Sequence, residues 1–206
     1  MLEELKQAVI TGDVDKAKEQ TELLLREGTT PGDILGGGLV SGMNVVGQRF
    51  KAYEMYLPEV IMSANVMKEA MEILKPLLSK SDVVSQGKVV IATIEGDLHD
   101  IGKNLVAMML EGAGFEVIDL GVDVPVDKIV EKGKSSGADI IAVSALLTTT
   151  MLALEKVVKK ARENYKEAKV IVGGAPITQD YADRIGADGF APDALRAIDL
   201  AKRLMS

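Results

Sequence analysis

The residues best suited to chemistry lie in the stretch IEGDLHDIGKN, residues 94–104, which contains the only histidine in 206 residues. His99 lies between Asp97 and Asp100 and is followed by Gly102. A neutral imidazole can bind a metal through one nitrogen while the other nitrogen donates its proton to a carboxylate, which fixes the tautomer. The sequence therefore indicates a metal ligand in His99, with Asp97 as its hydrogen-bond partner.

The chain has no cysteine and no second histidine, so it cannot add a further imidazole or thiolate ligand to a metal at His99. A closed zinc or iron site of the usual nitrogen and sulfur ligands is therefore excluded. Disulfides, thiolate nucleophiles and an iron–sulfur cluster held by this chain alone are excluded for the same reason. A metal at His99 would have to arrive with most of its coordination sphere already in place.

The overall charge of the chain bears on whether it binds nucleic acid. The net charge is −7, from 24 Lys and Arg against 31 Asp and Glu, and no basic tract lies beside aromatic residues. Nucleic acid is therefore not expected as a partner. The N-terminus lacks a basic start followed by a long apolar run, and no apolar window is long enough to span a membrane. We expect a soluble, cytoplasmic protein.

Hydrophobic residues follow a helical period in the first 80 residues, which predicts a four-helix bundle. Thr30 and Pro31 should open the third helix, and Pro58 should lie in the first turn of the fourth, where a missing N–H costs little. The four segments are LEELKQAVI, VDKAKEQTELLLREG, PGDILGGGLVSGMNVVGQRFKAYE and LPEVIMSANVMKEAMEILKPLLSK. We assign 1–80 to this domain and 81–87 to a polar linker.

From residue 88 to 206, apolar strands alternate with amphipathic helices, which predicts a five-stranded parallel sheet with helices on both faces, of the flavodoxin-like (Rossmann-like) type. Helices should begin near Gly102, Val126, Thr149 and Thr178, with Thr149 a candidate N-cap. Ligands bind beyond the carboxyl ends of the strands in such sheets. The loops expected at that edge are EGDLHDIG, SALLTTT, GGAP and GFAPDA.

Three short motifs follow one another on these loops. They are Asp-x-His-x-x-Gly at 97–102, Ser-x-Leu at 144–146 and the glycine pair at 173–174. Each motif alone is weak, since VGGAP alone is typical of a strand that ends in a turn. Together they resemble the cobalamin-binding signature of corrinoid-dependent methyltransferases and mutases. The cofactor implied is cobalamin or a related corrinoid, whose ring supplies four nitrogens to cobalt.

This resemblance implies that His99 is the lower axial ligand of cobalt and that the cofactor's own base is displaced into a slot beside the sheet. It also implies a relay of His99, Asp97 and Thr150 that couples proton uptake to cobalt coordination, with Thr150 where the methionine synthase pattern has a serine. A carboxylate at Asp100 could instead simply favour the following helix N-terminus. The residues implied in cofactor binding by this domain are Gly96, Asp97, Leu98, His99, Asp100, Gly102, Ser144, Leu146, Thr148, Gly173 and Gly174.

The stretch MNVVGQRFKAYEMYLPEVIMSANVMKEAM resembles the helical cap of cobalamin-dependent methionine synthase and of the small corrinoid proteins of methanol, methylamine and methoxyarene systems. This match implies that Phe50 and Leu57, with Val60 behind them, cover the cobalt-bound methyl group. Periodicity alone is equally consistent with bundle core. At Gly36, methionine synthase has a glutamate near the cofactor, so that carboxylate contact is not carried over.

The resemblance extends over residues 3 to 204, which leaves no room for a substrate domain and implies a corrinoid carrier. A donor-specific methyltransferase would load a methyl group onto Co(I), and a second methyltransferase would pass it from methyl-Co(III) to tetrahydrofolate or a thiol. An external reductive activator would restore oxidised cobalt. The alternatives are a cobalamin-dependent sensor or regulator and a nucleotide- or phosphate-binding domain on the same sheet.

Overall fold

A computed structural model of the protein describes residues 1–74, 76–77 and 86–206. The chain divides into two compact units, residues 1–85 with 112–114, and residues 86–111 with 115–206. Most of the expected linker, residues 81–85, lies outside the described residues, and the expected domain boundaries stay a prediction. The first unit is helical and the second is α/β, as the sequence predicts.

The second and third helices of the first unit have side-chain N-caps. The Asp13 carboxylate accepts a hydrogen bond from Lys16 N–H, and the Thr30 hydroxyl accepts one from Asp33 N–H, so each side chain satisfies a backbone donor that has no partner inside its helix. The elements are α1 (Leu2–Thr11), α2 (Val14–Arg26), α3 (Pro31–Asp33), a π-helix (Ile34–Val40), α4 (Ser41–Lys51) and α5 (Leu57–Leu74).

The expected third helix is not a regular α-helix throughout. Its ILGGGLV segment forms the π-helix, and the backbone stays helical across both junctions, at Ile34 and at Ser41. The spacing of apolar residues does not reveal this change of hydrogen-bond pattern. Farther along, α4 approaches α1 closely, because a Cβ added at Gly42 would lie 2.7 Å from Val9 Cβ and 3.1 Å from the Lys6 carbonyl oxygen. A glycine at 42 permits that approach.

The second unit is built on a five-stranded sheet in which every pair of neighbours is parallel. The strand order is β2-β1-β3-β4-β5, so the chain changes direction across the sheet between β1 and β3. A crevice at such a reversal is where open α/β sheets bind ligands. The strands are β1 (Lys88–Thr93), β2 (Glu116–Asp119), β3 (Ile140–Ser144), β4 (Lys169–Gly173) and β5 (Gly189–Ala191).

Helices cover both faces of this sheet, which is why its central strands are apolar nearly throughout. A final helix follows β5, and the sequence did not predict it. The helices are α6 (Ile101–Gly112), α7 (Val126–Ser136), α8 (Leu152–Asn164), α9 (Gln179–Ile185) and α10 (Ala194–Leu204). Within the described ranges, no helix has the length and apolar character that crossing a membrane would require.

Candidate functional site

The carboxyl ends of four strands form one row at the edge of the sheet. Thr93 pairs with Ser144, Ser144 with Gly173, and Gly173 with Ala191. The loop after β1 leaves this row and carries His99. Its turn is made at Gly96, where φ is 81°, and the Thr93 hydroxyl donates to the His99 carbonyl at 2.9 Å. The register of the sheet therefore brings His99 beside the ends of β3 and β4.

Asp97 is fully buried and accepts hydrogen bonds at both carboxylate oxygens. Oδ1 accepts from the His99 backbone N–H at 3.1 Å and lies 2.7 Å from His99 Nδ1. Oδ2 lies within bonding distance of three donors after β3, listed with their distances as Leu146 N–H (2.6 Å), Leu147 N–H (3.3 Å) and Thr150 Oγ1 (3.0 Å). Burial by itself would raise the pKa of Asp97, but the hydrogen bonds from Leu146, from the ring and backbone of His99, and from Thr150 hold it well below its usual range.

The ionised carboxylate of Asp97 determines the tautomer of His99. A carboxylate can only accept, so the proton in this 2.7 Å contact belongs to His99 Nδ1. The lone pair of the neutral ring then resides on Nε2, which has no hydrogen-bond partner among the described residues. With the His99 side chain 54% exposed, this nitrogen is open to a ligand.

Thr150 is buried and fixes Asp97 from the other side. Its hydroxyl lies 3.0 Å from Asp97 Oδ2 and also 3.0 Å from the Leu147 carbonyl oxygen. The residues before α8 form a turn, and α8 begins only at Leu152 without a side-chain cap. The expectation that Thr149 caps this helix is therefore wrong. The structure joins His99, Asp97 and Thr150 in one hydrogen-bonded chain.

A cavity of about 520 Å³ opens beside the row of strand ends. Its walls include Ile91, Ala142 and Ile171 from one face of the sheet, Val106 from α6 and Ala197 from α10. Eight of the residues expected to bind a cofactor line it: Leu98, His99, Asp100, Gly102, Ser144, Leu146, Gly173 and Gly174. Three others, Gly96, Asp97 and Thr148, do not line it, and neither does Thr150 of the expected relay. Of these, Asp97 and Thr150 lie behind His99, and Thr148 is exposed.

The glycines of the cavity have different reasons to be glycine. At Gly174, φ is 120° and an added Cβ would lie 1.9 Å from the Ala145 carbonyl oxygen, so the fold itself demands glycine there. At Gly173 the corresponding distance, to the Ala191 carbonyl oxygen, is 3.0 Å. At Gly102 the added Cβ would meet nothing within 4 Å. Gly102 therefore borders open cavity, where a side chain would occupy space that a ligand can use.

These observations fit a corrinoid. The cofactor needs a single protein nitrogen, and His99 presents a free Nε2 in a fixed orientation. Among the described residues, no group of three or more His, Cys, Asp or Glu side chains could hold a metal ion. The cavity of about 520 Å³ beside the sheet offers space for the tail of the cofactor.

The expected cap residues lie in the first unit and differ in burial. Val60 is completely buried in the bundle core, Leu57 is 41% exposed and Phe50 is half-buried. Burial of Val60 agrees with the simpler interpretation as core. The role of these three residues towards a cofactor stays a prediction.

Sequence reasoning missed Lys103 and Asp123, which bind the loop of His99 to the end of β2. Lys103 lines the cavity and pairs with Asp119, and Asp123 accepts from Gly96 N–H. A signal for Lys103 was present, since it lies on the buried stripe of α6 with Ala107 and Leu110. Asp123 gave none, because its partner is distant in the sequence.

Comparison with known proteins finds two family models with the same description, one over each part of the chain. The B12 binding domain family matches residues 87–199, and a second family with the same description matches residues 1–75. A corrinoid protein of Desulfitobacterium hafniense strain Y51 is 45% identical over 100% of this chain and 97% of its own length. Dimethylamine corrinoid protein 1 of Methanosarcina acetivorans is 43% identical over 100% and 98%.

A solved structure is similar over nearly the whole chain. It is the methanol:cobalamin methyltransferase complex of Methanosarcina barkeri, which matches with a TM-score of 0.90 and 31% identity. The match covers 99% of this chain and 79% of that chain.

Proposed function

This chain belongs to the B12-binding family of corrinoid proteins, and we propose that it is the methyl-carrying component of a methyltransferase system. It binds a corrinoid cofactor, as its family does. The names of its relatives, which include dimethylamine corrinoid proteins, and the methanol:cobalamin complex that it resembles support the carrier role over that of a sensor. The observation that carries the proposal is the His99 ring, oriented by Asp97 with Nε2 open at the cavity.

In this proposal His99 is the protein ligand to cobalt, and the cofactor's own base lies elsewhere. When bound, the corrinoid supplies a cobalt centre that takes up a methyl group and gives it away. Asp97 keeps the proton on Nδ1, so that Nε2 offers its lone pair. We infer that the relay of His99, Asp97 and Thr150 couples proton uptake to cobalt coordination. Thr150 holds the carboxylate in place.

The cavity residues would hold the rest of the cofactor. Ser144 offers a hydroxyl at the end of β3, and Gly102 leaves room for the close approach of a tail. Gly96 and Thr148 were also expected to contact the cofactor, but they do not line the cavity. Phe50, Leu57 and Val60 would cover the reactive face of the cofactor.

Two partner enzymes complete the proposed cycle. A donor-specific methyltransferase delivers the methyl group, and a second methyltransferase transfers it to tetrahydrofolate or a thiol. An external reductive activator restores the cofactor after accidental oxidation, since the chain has no cysteine with which to bind an iron–sulfur cluster of its own.

Electron paramagnetic resonance of the Co(II) protein tests the role of His99. Because the chain has one histidine, growth on [15N]histidine labels a single side chain. Coupling to the axial nitrogen should change from triplets to doublets, since 14N and 15N differ in nuclear spin, and it should vanish in His99→Ala. Thr150→Ser, which keeps the hydroxyl, is the matched control and should retain the doublets. Triplets that persist after labelling would show that the cofactor's own base is the ligand.

A further inference from the structure

The loop that carries His99 is held from outside by the segment between β2 and α7. Asp123 in this segment has a φ of 53°, a left-handed conformation that only Tyr53 shares among the described non-glycine residues. Such a conformation costs free energy and persists where surrounding contacts enforce it. Here the contacts are two. Asp123 Oδ1 accepts from Gly96 N–H at 2.7 Å, and Asp123 N–H donates to the Asp97 carbonyl oxygen at 3.0 Å.

A second connection joins the start of the same segment to the other side of His99. Asp119, the last residue of β2, forms an ion pair with Lys103 in the first turn of α6. The Lys103 side chain is only 2% exposed, and Nζ also donates to Asn104 Oδ1 at 2.6 Å. Asn104 Nδ2 in turn donates to Asp100 Oδ2 at 3.0 Å. The connection therefore runs from β2 to the residue that directly follows His99.

Burial of an ammonium group is costly, and an apolar side chain of similar volume is often as stable or more stable at such a position. Lys103 nevertheless lies on the buried stripe of α6, with its carboxylate partner on a different element. The other oxygen of Asp119 accepts from Gly121 N–H at 2.8 Å, so this carboxylate is itself fixed. The network holds the Lys103 ammonium between α6 and the end of β2.

We propose that residues 119–123 act as a positioning clamp for His99, through Asp123 before it and Asp119 with Lys103 after it. The clamp rests on the proposed function, because it concerns how His99 meets cobalt. Neither Asp123 nor Asp119 contacts the imidazole or lines the cavity; they are positioning residues that act through Gly96 and Lys103. Loss of either connection frees one end of the loop and weakens the bond between Nε2 and the metal, with Asp97 unchanged.

Competition with free imidazole measures this weakening. The Co(II) protein is prepared with [15N]histidine, and unlabelled imidazole is added until triplets replace the doublets of His99. Asp123→Gly permits the left-handed conformation but removes the acceptor, whereas Asp123→Asn keeps both. Loss of a hydrogen bond of this kind should lower the imidazole concentration at half-displacement by roughly tenfold in Asp123→Gly and in Lys103→Met, and leave it unchanged in Asp123→Asn.

Asp127→Asn is the matched control, since it removes an aspartate that pairs with Lys160 on α8, in the same unit but outside the clamp. Its half-displacement concentration should equal that of the unmodified protein. If Asp123→Gly does not fold, Asp119→Asn breaks the second connection and should show the same reduction. Equal half-displacement concentrations in the unmodified protein, Lys103→Met and Asp119→Asn would overturn the clamp while His99 ligation stands. Absence of doublets in the unmodified protein would instead refute the proposed ligand.

Discussion

At the scale of single residues, Asp97 combines complete burial with a negative charge. An ionised carboxylate loses much hydration free energy when buried, and hydrogen bonds to its oxygens offset part of that loss. The donors come from the loop of His99 and from the turn before α8. Asp97 therefore joins two loops that are far apart in the sequence and determines which ring nitrogen of His99 is free.

The depressed pKa of Asp97 predicts how stability depends on pH. Because the folded pKa lies below that of the unfolded chain, Asp97 stabilises the fold above about pH 4, and this contribution is lost as the pH falls further. In cofactor-free protein, the His99→Gln variant and the Asp97→Asn/His99→Gln double variant both lack the imidazole. Below pH 4, the free energy of unfolding of His99→Gln should fall by about 1 kcal/mol per pH unit more than that of the double variant. Urea unfolding from pH 7 to pH 3 measures this difference. A difference between the variants that does not change with pH would contradict it.

Residue types alone predicted only part of the site. His99 is conspicuous because it is unique, and Asp97 and Thr150 follow from the resemblance. Lys103 and Asp123 could not be found in the same way. Their partners are Asp119, at the end of β2, and Gly96, in the loop after β1. The pairing of β1 with β2 brings these partners together.

At the scale of elements, periodicity predicted the helices and strands well, since each buries one stripe or both faces. It failed where hydrogen bonds rather than burial decide the structure. The π-helix at Ile34–Val40 buries Ile34, Leu35, Gly38 and Leu39, a spacing that also fits the buried stripe of an α-helix. Thr149 does not cap α8, because the neighbouring Thr150 directs its hydroxyl to Asp97 and Leu147 within a turn.

Two glycines of α4 give a matched test of the close packing of α1 on α4. Gly42→Ala should destabilise the protein by about 1 to 3 kcal/mol, because the new Cβ would overlap Val9 and leave little room beside the Lys6 carbonyl. Gly47→Ala, in the same helix, meets nothing within 4 Å and should be neutral or up to about 1 kcal/mol more stable. Chemical denaturation of cofactor-free protein gives both values. Equal destabilisation by the two substitutions would show that helix propensity, and not the approach of α1, governs α4.

At the scale of the whole molecule, the two units differ in the residues that could serve a function. The second unit has the single histidine and the cavity, and the first is a bundle that presents exposed apolar residues such as Tyr53, Tyr56 and Leu57. The sequence predicted both folds but not α10, although Ala194 and Ala197 of that helix line the cavity. The alternation of strands and helices identifies a fold class, whereas the wall that α10 forms depends on how that helix returns to the sheet.

A carrier should bind its cofactor without completing a reaction. We expect the purified protein, loaded with a corrinoid and supplied with a reductant, to transfer no methyl group from methanol or methylamines to tetrahydrofolate or a thiol. The relatives that match it end to end are named as corrinoid proteins, and the similar solved structure is a complex with a methyltransferase. Addition of the matching donor and acceptor methyltransferases should start turnover, and His99→Ala should slow it even at saturating corrinoid. Turnover by the protein alone would contradict the carrier role, and binding of the corrinoid without methyl transfer to any partner enzyme would favour a sensor.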